Sequence, residues 1–450
     1  MGGCASKRSR DSPRITQIPG GGNDDAFERD DDNPMFARYV KADAVFAALE
    51  QADVVVISLV WLLAWTRSGR TLPRRQDLPP EAIMSVQRLR AIYSAAPQWV
   101  QELSMCLVAI SHCWLSPQHP DPDAKNMSVL AAKLRVDITM YQKHYEDMGI
   151  FWDWASMYQE HGGNSGRTRE QYDSFKRALH ETMDLWFAHQ RTVVYMLTEL
   201  PPGSLRSHGY SASGWTTFER CSAELTKPSM AVRWHSDGSG TPLWPMCVDL
   251  GRRTGKEHTR NLPMAPCDFA NIVATKVFTN AADSSDVLQL YEKVSTSVLE
   301  GIRVLDLSGV RISLGGGPQL ANCLRHCKRL SKLQLRSCGL TSDEFEAILH
   351  ASSFLTNLRI FHLIDNNLDD RAISLLVSRC GNGAFPQLRR LSFFGNQITK
   401  DGVRILIQGI QARVFKSLEE LFMGGNSLVL RYNHQDPLYV ACRSNGIQLC

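Results

Sequence analysis

Glu219 stands four residues after Trp215. On a helix that spacing puts both on one face, so an acid and a flat ring share a surface. Two more reactive groups close short apolar runs. His112 follows Met105-Cys-Leu-Val-Ala-Ile110, and Asp153 follows Gly149-Ile-Phe-Trp. Trp114 comes two residues after His112. Acid, imidazole and indole are groups from which a substrate-holding cleft is built, with Glu219 as its reactive carboxylate and Trp215, Asp153, His112 and Trp114 around the substrate. Each also has a structural reading that competes with this one. Thr216-x-x-Glu219 is a capping-box pattern at a helix start. Trp215 fits a core position equally well. His112 has no partner at fixed spacing, which favours a hydrogen-bonded structural histidine. Asp153 can cap the loop behind it. Cys113 and Cys221 lie nearby without a clear histidine partner, so no nucleophilic cysteine is expected. The twelve cysteines are scattered and include no CxxC pair, which reads as reduced thiols in an intracellular protein rather than a disulfide frame. No metal site is expected.

The elements that must position these groups alternate in type. Met105–Ile110, Gly149–Asp153 and Thr192–Leu197 read as strands. Asn126–Asp147 and Thr168–His189 carry apolar residues at helical spacing, with Leu130, Leu134, Ile138 and Tyr141 on one stripe and Tyr172, Phe175, Leu179 and Met183 on another. Strand–helix–strand–helix–strand predicts a parallel sheet with right-handed crossovers. Ligands of such sheets bind beyond the carboxyl ends of the strands. His112, Asp153 and the loop after Leu197 should therefore meet at one edge. Ile57-Ser58-x-x-Trp61-Leu62 echoes Ile110-Ser111-x-x-Trp114-Leu115, as a second related strand or as coincidence.

The segment Tyr210-x-x-Ser213-x-Trp215-Thr216-x-x-Glu219 resembles the Y-x-x-S-x-W-C-x-x-E segment of Toll/interleukin-1 receptor (TIR) domains. It also resembles the R-x-W-T-x-x-E segment of fungal heterokaryon-incompatibility (HET) domains. Upstream, Ser111-His112-Cys113-Trp114 looks like the S-Y-x-W of HET domains, and Asp153 with Gln159 looks like their D-x-x-x-x-x-Q. Thr216 stands where the plant-type TIR motif has Cys. The resemblance spans about residues 101–225 and implies a TIR-like parallel sheet flanked by helices. Many TIR domains hydrolyse NAD to nicotinamide and ADP-ribose, and their catalytic glutamate matches Glu219. A carboxylate there would stabilise the oxocarbenium-like state of glycosidic cleavage. NAD would be a substrate, and no resident cofactor is expected. The alternative is a non-enzymatic scaffold.

Five segments further on follow L-x-x-L-x-L-x-x-N/C-x-L. They begin at Ile302, Leu330, Leu358, Leu388 and Leu418, at intervals of 28, 28, 30 and 30 residues. The pattern and period resemble leucine-rich repeats of the ribonuclease-inhibitor type, an α/β solenoid of short strands and outer helices. Alternating Leu positions face the core, and Cys338, Asn366, Asn396 and Asn426 stand where the chain turns out of each strand. A curved array of this kind offers a concave binding face. Lys332, Gln334, Arg336, Arg359, His362 and Arg390 lie on it and lean basic, which predicts an acidic patch on a protein partner.

The chain opens Met1-Gly2-Gly3-Cys4-Ala5-Ser6-Lys7-Arg8. Gly2 with Ser6 fits N-myristoylation. Cys4 and the basic residues supply the second signal that a single acyl chain needs for stable anchoring. Gly20–Asn33 is Gly-rich and acidic, a disordered spacer by composition. No apolar h-region marks a secretory signal. The longest apolar run, Val54–Trp65, is about 12 residues, short of the roughly 20 that span a bilayer. The formal net charge of +4 argues against a dedicated nucleic-acid binder. No GxxxxGK[ST] nucleotide loop is present. The expected plan is an acylated segment (1–34), the start of the globular domain (35–100), the TIR/HET-like α/β domain (101–229), a connector and repeat cap (230–299), and the repeats (300–450). The whole reads as an intracellular signalling or immune-type protein, peripheral on a cytoplasmic membrane face and open to self-association.

Overall fold

A computed structural model describes residues 34–160, 166–204, 206–225, 227–228, 230–234, 240–251, 260–427 and 435–450. The acylation positions Gly2 and Cys4 lie outside the described residues. The described chain is mixed α/β, with a six-stranded mixed sheet and a six-stranded parallel sheet flanked by helices.

The first sheet holds β1 (Val56–Ser58), β2 (Ile83–Met84), β3 (Leu107–His112), β4 (Gly149–Phe151), β5 (Val193–Leu197) and, beyond a two-stranded hairpin of β6 (Met230–Trp234) and β7 (Gly240–Pro245), β8 (Cys247–Asp249). Their order is β2-β1-β4-β3-β5-β8. The β4-β3-β5-β8 core is parallel, and β1 and β2 add an antiparallel edge. Every residue of β3, β4 and β5 is buried, as strands covered on both faces require. Helix Lys125–Tyr141 joins β3 to β4, and Arg169–Arg177 runs through a π turn into Met183–Ala188 before β5. The three expected strands are thus present. One correction follows. The sheet overruns residue 229, because β8 from the expected connector pairs with β5. The echoed Ile57-Ser58 and Ile110-Ser111 pairs both lie on strands, but β1 runs antiparallel to the core that β3 belongs to, so their roles differ. Ser58 caps the next helix, accepting from Trp61 N at 3.1 Å.

Helix Asp283–Gly301 leads straight into the second sheet. Its strands are β9 (Val304–Asp306), β10 (Lys332–Gln334), β11 (Ile360–His362), β12 (Arg390–Ser392), β13 (Glu420–Phe422) and β14 (Gln448–Leu449), all parallel and in order. Helices Gly316–Leu324, Ser342–Leu349, Asp370–Gly381, Lys400–Gln411 and Pro437–Ser444 alternate with them. Thr341, Asp369, Thr399 and Asp436 each accept a backbone N–H at a helix start, the usual remedy for orphan donors there. β14 is a sixth strand that the repeat pattern did not reveal.

The asparagines join one repeat to the next. Asn366 Oδ1 accepts from Cys338 N and Leu340 N, both at 3.0 Å, while its amide donates to Leu335 O at 2.6 Å and Ile364 O at 3.0 Å. Asn396 accepts from Leu368 N at 3.1 Å and donates to Leu363 O at 2.8 Å. Asn426 accepts from Ile398 N at 3.0 Å and donates to Phe393 O at 2.9 Å. The amides of Asn366 and Asn396, both buried, and of half-buried Asn426 satisfy backbone groups that would otherwise be orphaned.

The two sheets are bonded together. Arg220 reaches Asp249 at 2.9 Å and Glu224 at 3.3 Å. Glu224 accepts from Asn261 N at 3.0 Å and Asn261 Nδ2 at 3.1 Å. Arg260 donates to Glu224 O and, at 3.1 Å, to Asp306 O on β9. Among the described residues no helix is long and apolar enough to cross a membrane.

Candidate functional site

The carboxyl end of β3 gathers most of the candidate residues, and strand geometry divides them. Neighbouring residues of a strand face opposite sides, so Ser111 and His112 serve different partners. Ser111 is fully buried, and its Oγ donates to Glu219 Oε2 at 2.5 Å. The same Oγ lies 2.6 Å from the Tyr210 hydroxyl. His112 turns to the β4 side. Trp152 Nε1 lies 2.6 Å from His112 Nε2. An indole N–H only donates, so His112 Nε2 accepts, and its proton sits on Nδ1, 3.2 Å from Cys113 O.

Asp153 begins the short helix Asp153–Ser156 directly after β4. Its Oδ1 accepts from Trp154 N at 2.7 Å and lies 3.4 Å from His112 Nε2. The latter is proximity and not a hydrogen bond, since that nitrogen's lone pair already takes the Trp152 proton and neither atom has a hydrogen to give. Oδ2 accepts from Trp114 Nε1 at 2.7 Å. Gln159 donates to Asp153 O at 2.9 Å and to Met157 O at 2.8 Å, so this paired Asp and Gln hold the turn itself. From the loop after β5, Arg206 donates to Trp114 O. His112, Trp114, Asp153 and the post-β5 loop therefore do meet at one sheet edge.

Glu219 sits in the second turn of helix Gly214–Ala223, whose N-cap is Ser213. This overturns the capping-box alternative, because Thr216 Oγ1 donates instead to Tyr210 O at 2.5 Å. Gly214 opens the helix because a Cβ there would stand 1.9 Å from the Phe278 ring. Glu219 is 6% exposed. Burial pushes its carboxyl well above the usual carboxylate range, against the lowering effect of the Ser111 bond, and the Asp153 charge adds to the rise. The Tyr210 hydroxyl is pushed up by burial and by Glu219. Trp215 does not join this group. Its indole donates to Asp283 Oδ2 at 2.9 Å, at the start of helix Asp283–Gly301, so it anchors the helix leading to the second sheet.

The eleven described cysteines are free thiols. Burial raises Cys113 to about 11 and Cys221 to about 12, so neither is a thiolate nucleophile at neutral pH. Among the described residues no cluster of three His, Cys, Asp or Glu is arranged to hold a metal.

On the second sheet, the middle residue of each of β9 to β13 is buried and its neighbours are half-buried, except Ser392 on β12 and Phe422 on β13, which are buried as well. Lys332, Gln334 and His362 are half-buried on that row, Arg336 lies just past β10, and Arg359 is exposed at the entry to β11. The basic lean is narrower than expected. Arg390 pairs with Glu420, its register partner on β13, at 2.7 and 3.0 Å. Arg336 reaches Asp365 at 3.3 Å. Glu420 stands two residues after Leu418 and could have been read from the same pattern. Tyr210 and Ser111 lay inside quoted motifs, but nothing in one sequence paired them with Glu219.

No family model matches the chain. Over 126 residues, 28% of this chain, it is 31% identical to the Tonsoku-like protein of Mus musculus, and the match spans 9% of that protein's length.

Proposed function

We propose that this chain is an intracellular signalling protein held at a membrane by acylation of Gly2 and Cys4. Its residues 300–450 act as ribonuclease-inhibitor-type leucine-rich repeats that recognise a protein partner. Its TIR/HET-like α/β domain acts chiefly as a scaffold, through contacts with other proteins. The observation that carries this reading is the in-register row of parallel strands, β9 to β13, each with a buried middle residue, and with half-buried side chains on both flanks of β9, β10 and β11. Such a row is a wide, regular contact surface. Scaffolding is favoured over catalysis by the state of Glu219, which is buried and bonded to Ser111. To test the reading, proteins labelled in cells around wild-type chain are compared with those around Lys332→Glu and Glu219→Gln variants. A partner lost from the first and kept by the second is expected. Recovery unaffected by Lys332→Glu would sink it.

One observation favours a second reading, NAD hydrolysis by Glu219. Its raised proton affinity beside Asp153 is the pattern by which paired carboxyl groups divide acid and base roles. His112 and Trp114 on Asp153 would then border the substrate. NAD consumption by the oligomerised full chain decides it. Turnover abolished by Glu219→Gln would replace scaffolding with catalysis, and no turnover by wild type would end the enzymatic reading.

A further inference from the structure

Helix Leu59–Trp65 follows β1 and lies beside helix Lys125–Tyr141. Arg135 bridges the two, donating from Nη2 to Thr66 Oγ1 at 2.7 Å and to Leu63 O at 3.4 Å. Residues four apart share a helix face. Val60 and Ala64 thus point the same way, and both are exposed. Trp61 and Trp65 form the flank, half-buried, with their ring centroids stacked 5.1 Å apart. The Trp65 indole donates to Thr71 O at 3.1 Å, so the chain itself serves its one polar atom. Beside Arg135, Val136 is 65% exposed.

Positive charge gathers at the carboxyl end of this helix. Arg67 and Arg70 are exposed there, as is Arg135. The Arg70 guanidinium stands 5.9 Å from the Trp65 ring centroid. None of these three arginines has an ion pair among the described residues, and the contacts of Arg70 and Arg135 are with neutral groups. The chain holds no Asp or Glu from Val54 to Gln76. Helix Lys125–Tyr141 carries Asp137 alone, which is buried and bonded to Lys133 and Tyr195. Carboxylates lie toward the other end of helix Leu59–Trp65. There Asp147 accepts from Val60 N at 3.1 Å and meets Arg88 at 3.2 Å, and Glu81 precedes β2.

An apolar ridge edged by indoles and guanidiniums suits the boundary between lipid headgroups and acyl chains. Indole rings settle at that depth. Arginine stems lie along apolar surface while their heads stay in water. A leaflet containing phosphatidylserine is negative throughout, and each basic residue held at it is worth about five-fold in affinity. A protein partner would need a groove matched to Ala64 and Val136, whereas a lipid surface needs none. With acyl chains on Gly2 and Cys4, thirty residues before Pro34, the fold is held within about 100 Å of the bilayer. Such tethering makes a weak second contact effective.

We propose that the face formed by Ala64, Trp65, Arg67, Arg70, Arg135 and Val136 is a contact for anionic lipid membrane. The proposal rests on the reading of this chain as membrane-held. It adds which side of the mixed sheet is turned to the lipid.

The test is co-sedimentation of unacylated full-length protein with vesicles of phosphatidylcholine and phosphatidylserine in a two-to-one ratio, against vesicles of phosphatidylcholine alone. Binding to the mixed vesicles is expected to be at least ten-fold tighter. Arg67→Glu and Val136→Asp, both at exposed positions, should each weaken it at least five-fold. Lys416→Glu, an equal charge change at an exposed position on the array, should leave it within two-fold. Equal losses from Arg67→Glu and Lys416→Glu would overturn the face in favour of net charge. Equal binding to both kinds of vesicle would overturn anionic lipid as its ligand. Self-association that Val136→Asp abolishes, with vesicle binding unchanged, would assign the face to a second copy of this chain instead. The acyl anchor fails separately. If unacylated protein binds the mixed vesicles but Gly2→Ala leaves the distribution in cells unchanged, the anchor falls and the face stands. If unacylated protein binds no vesicle while Gly2→Ala releases the protein from membranes, the face falls and the anchor stands.

Discussion

Replacing Glu219 by glutamine removes a proton-binding group while keeping an oxygen that can accept the Ser111 hydroxyl. In the unfolded chain a glutamate titrates near pH 4.3; in the fold, burial holds this carboxyl well above that range. Between the two values the folded state binds more protons than the unfolded state. This contribution to stability is therefore complete below the unfolded value and shrinks as pH rises toward the folded one. The slope for one proton is about 1.4 kcal/mol per pH unit. Glutamine has no such slope. Wild type and Glu219→Gln should thus differ least at the lowest pH. As pH rises toward the folded value, the variant should gain on wild type, by no more than about 1.4 kcal/mol per pH unit. Other titrating groups cancel in the difference. The assay is urea unfolding at pH 5, 6, 7 and 8, followed by tryptophan fluorescence. All ten tryptophans lie at or before Trp244, so the signal reports the mixed sheet and is silent on the array. Parallel pH profiles for the two proteins, or a variant weaker at pH 7, would refute the account of Glu219 as a buried, proton-bearing tie between β3 and its helix.

Other expectations concern the array and the N-terminus. Asn366→Ala leaves Cys338 N, Leu340 N and two carbonyls without their buried partner, and should cost about 3 kcal/mol; thermal unfolding by circular dichroism that shifts by less than a degree would contradict this. Gly395→Ala adds a Cβ 2.2 Å from Asp365 Oδ1 at a φ of 69°, so a loss of roughly 1–2 kcal/mol is expected in the same measurement. Gly2→Ala should move the protein from the membrane to the soluble fraction, with an unchanged distribution counting against acylation.

Much of the fold was legible because it rests on local pattern. The runs before His112, at Gly149 and at Val193 are continuous and apolar, and strands covered on both faces have no other composition available. The repeats repeat, so each copy corroborates the others. β8 was missed because Cys247-Val-Asp is three residues long, and its partner β5 lies some fifty positions away. The candidate site was legible as a set of residues but not as a set of bonds. That Trp215 meets Asp283, and that Ser111 rather than His112 meets Glu219, depends on which side of β3 each helix covers. Long-range packing decides that, and no spacing within one segment encodes it. The charge of the array's face was overstated for a related reason, since Arg390 and Glu420 are neighbours only once the strands are in register.

Helix Asp283–Gly301 passes into β9 across Ile302 and Arg303 alone. A Cβ on Gly301 would stand 2.4 Å from Phe36 Cβ, so the junction is held from the side as well. A helix turns about 100° and advances 1.5 Å for each residue. The array is therefore set at a definite angular phase to the mixed sheet, like a pointer keyed to a shaft. One residue gained or lost in that helix would swing every repeat by more than a quarter turn while leaving each repeat's own packing untouched. Single-residue length changes there should be far less tolerated than changes of the same size in the loops between repeats.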